Sequence, residues 1–153
     1  MAHFAAQDLG AETAAVLFDA ATPYNNTLAN AFKETFEAGG GRVVAWESYI
    51  TGDQDFSAAL RRIQQSAPTV LFLPNYTDDV IAQAQQARRL GLETTFLGGD
   101  GVTAGALLAH PELDGAFLVH HWHVDLTETD TRARDFITAY RRCLLYTSDA
   151  ADE

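Results

Sequence analysis

The chain has 153 residues, 47% of them hydrophobic, and carries 21 Asp and Glu against 10 Lys and Arg, a net charge of −11. That length suits one domain with a sizeable core, since chains of about 150 residues bury roughly 70% of their unfolded surface. The acidic balance, with bases scattered or paired as in Arg61-Arg62 and Arg88-Arg89, argues against a nucleic-acid or anionic-membrane partner, and no run of about twenty apolar residues offers a membrane-spanning helix.

In chain order, residues 2–9 predict a helix stopped by Gly10, from a start that lacks the basic and apolar regions of a signal peptide. Residues 14–18, AAVLF, are a short apolar run suited to a strand buried on both faces. A helix follows over 23–38, with Leu28, Ala31, Phe32, Thr35 and Phe36 on one face, Pro23 in its first turn and Gly39-Gly40-Gly41 behind it. The pattern repeats as a strand over 42–49 and a helix over 56–65 behind an Asp55 cap. A strand over 69–73, a helix over 78–90 stopped by Gly91 and a strand over 94–98 come next. Residues 115–121 predict a further strand. In the last helix, over 129–142, Phe136, Ile137 and Tyr140 keep helical spacing, and the pattern is interrupted without a Gly cap or a Pro stop.

The remaining segment, CLLYTSDAADE (143–153), back-translates in one frame to a transposase sequencing adapter and is read as a library scar outside the native domain, residues 1–142. Its exclusion removes the only cysteine, Cys143, and with it any disulfide or metal-thiolate argument. Three acids go too, leaving 18 against 10 bases and a net charge of −8.

Strands alternating with helices at this spacing mean βαβ units with right-handed crossovers, an α/β fold whose parallel sheet is covered on both faces as a three-layer αβα lobe. Ligands of such sheets bind beyond the carboxyl ends of the strands. Three loops reach that edge: DAATPYNNT, PNYTDD and GGDGVTAG, which carry Tyr24, Tyr76 and Asp100. Two aromatic faces and a carboxylate suit a small cationic or zwitterionic amine, with the ammonium on the carboxylate and the rings over an aliphatic group. Taken singly, each has a plainer role: a Tyr near a helix start packs, and an Asp between glycines makes a turn.

The order of these blocks, from AAVLF through LFLPNYTDDVIAQAQQARRLGL to TFLGGDG, resembles the second lobe of the type I periplasmic binding proteins, in particular the leucine/isoleucine/valine receptors of ABC importers. The resemblance covers residues 1–142. It implies an extracytoplasmic, non-enzymatic solute-binding protein that needs no cofactor, closes two lobes on an amino acid and delivers it to a membrane permease. Tyr24 would pack on the ligand, Asn75, Tyr76 and Thr77 would line the cleft, and Asp100 would hold the α-ammonium. The family often has a second Tyr at Thr77 and Glu at Asp100, which leaves the side-chain preference open. The other lobe and a signal peptide are expected outside this chain. The alternative is the ligand-sensing lobe of an amide- or amine-responsive regulator.

Other constellations do not assemble. His120, His121 and His123 in HHWH are the densest set of potential metal ligands, but only Asp125 lies near to complete a shell, so no metal site is expected. Asp19 at a strand end suggests a phosphoacceptor, yet the chain's one lysine, Lys33, lies within a helix. The first strand leads into no glycine-rich phosphate turn, and no nucleophile elbow is present.

Overall fold

A computed structural model describes residues 1–103, 105, 109–120 and 130–149, without the side chains of 144–149. Residues Met1–Val119 form one compact unit and His120–Glu153 a second. The first unit contains a five-stranded sheet in the order β2-β1-β3-β4-β5, with every neighbouring pair parallel. Its strands are β1 (Thr13–Asp19), β2 (Arg42–Tyr49), β3 (Val70–Leu73), β4 (Thr95–Gly98) and β5 (Phe117–Leu118). Helices α1 (Ala2–Gln7), α2 (Pro23–Ala38), α3 (Ser57–Ser66) and α4 (Thr77–Arg89) connect or flank them.

Side chains alternate across the sheet and split the interior into two cores. Ala14, Val16 and Phe18 of β1, with Val70 and Phe72 of β3 and Leu97 of β4, pack with α1 and α2. Ala15 and Leu17 of β1, with Leu71 and Leu73 of β3 and Phe96 of β4, pack with α3 and α4. Strands buried on both faces cannot show a polar alternation, so their sequences read as continuous apolar runs. The αβα layering follows directly from that double burial.

The expected bounds of α2 and β2 match the observed ones, Pro23–Ala38 and Arg42–Tyr49. Asp55 accepts the Ser57 amide at 2.9 Å, but α3 begins one residue later than expected, so Phe56 and not Asp55 holds its N-cap position. The strand expected over 115–121 is shorter, because the Ala116 amide closes a turn onto the Leu113 carbonyl and β4 offers β5 only Leu97 and Gly98 as partners. A 3₁₀ turn at Pro111–Leu113, absent from the sequence reading, precedes it. In the second unit, helix α5 (Thr131–Asp149) runs across the Arg142-Cys143 junction. No glycine or proline lies in residues 143–149 to stop it. No described helix is long and apolar enough to cross a membrane.

One close approach fixes the turn between α2 and β2. A Cβ on Gly41 would lie 2.4 Å from Phe36 Cε1, and that ring is fully buried. Phe36 stacks on Phe32, at 5.5 Å between centroids, and Phe32 stacks on Phe72 at 4.3 Å, so the ring has nowhere to swing. Gly41→Ala should therefore destabilise the fold by about 1–3 kcal/mol, the usual cost of overpacking, read as a lower urea midpoint at unchanged slope.

Candidate functional site

With strand order β2-β1-β3-β4-β5, the chain winds one way from β1 to β2 and the other way from β3 onward. The reversal lies between β1 and β3, where open parallel sheets form a crevice beyond their carboxyl ends. The two loops that flank this point carry Tyr24, in the first turn of α2, and Tyr76, at the N-cap of α4. Their rings stack with centroids 5.6 Å apart and planes 18° apart. Asp100, in the loop after β4, is exposed and accepts a hydrogen bond from the Tyr24 hydroxyl. Three residues separated by 52 and 24 positions in sequence are thus brought to one edge.

The environments of the three differ. Tyr76 is 52% exposed, and Tyr24 is half-buried. Burial of the Tyr24 phenol, together with the Asp100 carboxylate that accepts its proton, pushes its pKa up to about 12. Tyr24 therefore stays a hydrogen-bond donor at any physiological pH. Gly101 allows the Asp100 loop to approach. A Cβ there would stand 3.2 Å from the Asn75 carbonyl oxygen and 3.3 Å from Tyr76 Cδ1, tighter than side chains normally pack.

Asn75 lies directly before Tyr76 and faces the other way. It is fully buried, and its amide uses every hydrogen-bonding position it has. Nδ2 donates to the Leu17 carbonyl at 2.8 Å and to Gln83 Oε1 at 2.9 Å. Oδ1 accepts from the Asp19 amide at 3.2 Å and from Asn25 Nδ2 at 3.0 Å. One side chain therefore joins β1, α2 and α4 beneath the two tyrosines.

Asp19, considered above as a phosphoacceptor, is instead the neighbouring structural tie. Its Oδ1 accepts the amides of Ala21 at 2.8 Å and Thr51 at 3.1 Å, while Oδ2 accepts the Thr22 hydroxyl at 2.8 Å and the Thr51 hydroxyl. Burial opposes its ionisation, but these bonds, led by that of the Thr51 hydroxyl, outweigh it and hold the carboxyl below its ordinary value of 3.8. Tyr49 adds a third tie by donating to Asp79 Oδ2 in the first turn of α4 at 2.7 Å. Sequence reasoning missed Asp19, Gln83 and Thr51 as supports. The one available signal was Asp19 itself, a charged residue closing the apolar run of β1.

Among the described residues no group of three His, Cys, Asp or Glu side chains could hold a metal ion. His120 is exposed, while His121 and His123 of the weighed cluster lie outside the described residues, as does Asp125.

Two outcomes follow from these ties. Asn75→Leu strands the Leu17 carbonyl, the Asp19 amide and the amides of Asn25 and Gln83; at about 1–3 kcal/mol per stranded group, the loss in chemical denaturation should be about 3 kcal/mol or more. Asp19 has a lowered folded-state pKa, so its contribution is present above its unfolded value and lost as pH falls through the folded one. Wild type should thus lose stability from about pH 5 downward more steeply than Asp19→Asn, measured as unfolding midpoints across that range.

The family model described as "Periplasmic binding protein" matches residues 1–144. The Leu/Ile/Val-binding protein BraC3 of Rhizobium johnstonii is 36% identical over 80 residues, 52% of this chain and 22% of that protein. The leucine-, isoleucine-, valine-, threonine- and alanine-binding protein of Pseudomonas aeruginosa is 29% identical over 99 residues, 65% of this chain and 26% of that one. The crystal structure of a leucine-binding protein, LivK, from Thermotoga maritima superposes with a TM-score of 0.82 at 30% identity, covering 93% of this chain and 41% of that one. The chain thus spans about a quarter of these two curated relatives and two fifths of the solved structure. With the parallel sheet, the strand order and the family match over nearly its whole length, the chain belongs to the type I periplasmic binding protein family, on the branch of the leucine/isoleucine/valine-binding proteins.

Proposed function

We propose that the carboxyl edge of the sheet is one wall of an amino-acid-binding cleft. The observation that carries this reading is the convergence of Tyr24, Tyr76 and Asp100 at the point where the strand order reverses. Asp100 pairs with the ligand's α-ammonium, and the stacked rings of Tyr24 and Tyr76 pack on its aliphatic part, a division of labour that suits a branched-chain amino acid. Asn75 serves from beneath, fixing the backbone from which Tyr76 projects. The relatives named for leucine, isoleucine and valine support the ligand class.

The whole protein, on this reading, is the extracytoplasmic solute-binding component of an ABC importer. Residues 1–142 form its second lobe and residues 143–153 take no part in function. A partner lobe outside this chain supplies the groups for the ligand's carboxylate, and the closed pair presents its cargo to a membrane permease. The work is binding and closure, with no chemical step and no cofactor.

The test is Asp100→Asn in the complete two-lobe protein. Removing a charge-assisted interaction in a largely dry cleft should cost about 2–5 kcal/mol of binding, a fall in affinity for leucine, isoleucine or valine of roughly thirtyfold or more by calorimetry. Tyr24→Ala should weaken binding through lost packing while selection for an amine persists. Unchanged affinity of Asp100→Asn for every amine bound by the parent would make Asp100 a turn residue and end this reading.

A further inference from the structure

We infer that Thr77 is a positioning residue that locks the loop bearing Asp100 against the helix bearing Tyr76, an inference that rests on the amino-acid-binding reading above. Thr77 is the first residue of α4 and is half-buried. Its hydroxyl turns away from its own helix. It donates to the Gly101 carbonyl at 3.3 Å and accepts from the Thr103 amide at 3.1 Å, so it holds the loop on both sides of Val102. Val102 itself is 1% exposed and anchors the same loop in the core.

A buried apolar anchor fixes the loop's depth, but an apolar contact is non-directional and leaves its rotation about that anchor open. The two hydrogen bonds of Thr77 supply direction. Because Thr77 follows Tyr76 and Gly101 follows Asp100, the bond between them joins residues that are each one position from a proposed ligand contact. Gly101 also sits where a Cβ would be 3.5 Å from the Tyr24 hydroxyl, so a small rotation of this loop changes how Asp100 meets that phenol. Side chains that align a charged partner govern affinity through geometry, and small misplacements weaken a directional contact.

Five proteins decide the matter: the complete parent, Thr77→Val, Thr77→Ser, Asp100→Asn, and Thr77→Val placed in the Asp100→Asn background. Leucine is the titrant. Thr77→Val keeps the branched shape and loses both hydrogen bonds, and should lower affinity about tenfold; Thr77→Ser, which keeps the hydroxyl, should stay within about twofold of the parent. In the Asp100→Asn background Thr77→Val should add less than about twofold, since a residue that acts through Asp100 has nothing left to position. A ligand-free readout accompanies these: hydrogen exchange at the Thr103 amide should accelerate about tenfold or more in Thr77→Val while the interior amides of α4 are unchanged.

Parent affinity in Thr77→Val, or an undiminished further loss in the Asp100→Asn background, overturns the positioning role. So does unchanged exchange at Thr103. If Asp100→Asn alone leaves affinity intact, the amine reading fails, and the exchange measurement still judges whether Thr77 holds the loop. Should Thr77→Val fail to unfold cooperatively, Thr77→Ala removes the hydroxyl without adding a methyl group and enters the same comparison.

Discussion

Each donor or acceptor of a buried amide that goes unpaired costs stability, and at the carboxyl edge of this sheet Asn75 engages all four of its positions with partners from three elements. The rest of the edge depends on it. Leu17 and Asp19 belong to β1, Asn25 to α2 and Gln83 to α4, so the amide sets the spacing of the two loops at the reversal of strand order. Asp19 carries the tie outward to Thr51 in the loop after β2. Gln86 extends it along α4, accepting the Phe56 amide and donating to the Gln54 carbonyl, each at 2.8 Å. A parallel sheet delivers loops to one edge; this network fixes them there, so the ordering is completed on folding rather than on binding.

What rests on that platform is small and chemically distinct. Tyr24 and Tyr76 stack on each other and Asp100 lies on the Tyr24 phenol, so apolar surface and negative charge are adjacent without being mixed. Tyr24 keeps its hydrogen bond to Asp100, because burial and the carboxylate both hold its proton on. A zwitterion with an aliphatic side chain matches both parts of this surface on one of its faces. On the reading proposed above, its carboxylate takes its donors from the partner lobe.

The legible parts of the fold were those governed by period and punctuation. Continuous apolar runs marked strands buried on both faces, and Pro23 with the three glycines at 39–41 delimited α2. The length of β5 was not legible, because it is set by where β4 runs out. Within the site, Tyr24, Tyr76 and Asp100 could be found from their places after strands, whereas the direction of Asn75 could not be taken from the loop's composition. Adjacent residues of an extended segment point to opposite sides, so Asn75 and Tyr76 diverge. The supports at Asp19, Gln83 and Thr77 make contacts 24 to 56 residues away or depend on partners that do, and no local pattern encodes such pairs.

On the proposed reading, Asp100 and the tyrosine pair form the amine-binding wall of a two-lobe cleft. A crystal structure of the complete protein with bound leucine tests it most directly. The ligand's ammonium nitrogen is expected within about 3 Å of an Asp100 carboxylate oxygen, with its isobutyl group against the rings of Tyr24 and Tyr76. Leucine bound with its ammonium held by other groups, and Asp100 turned to solvent, would contradict it.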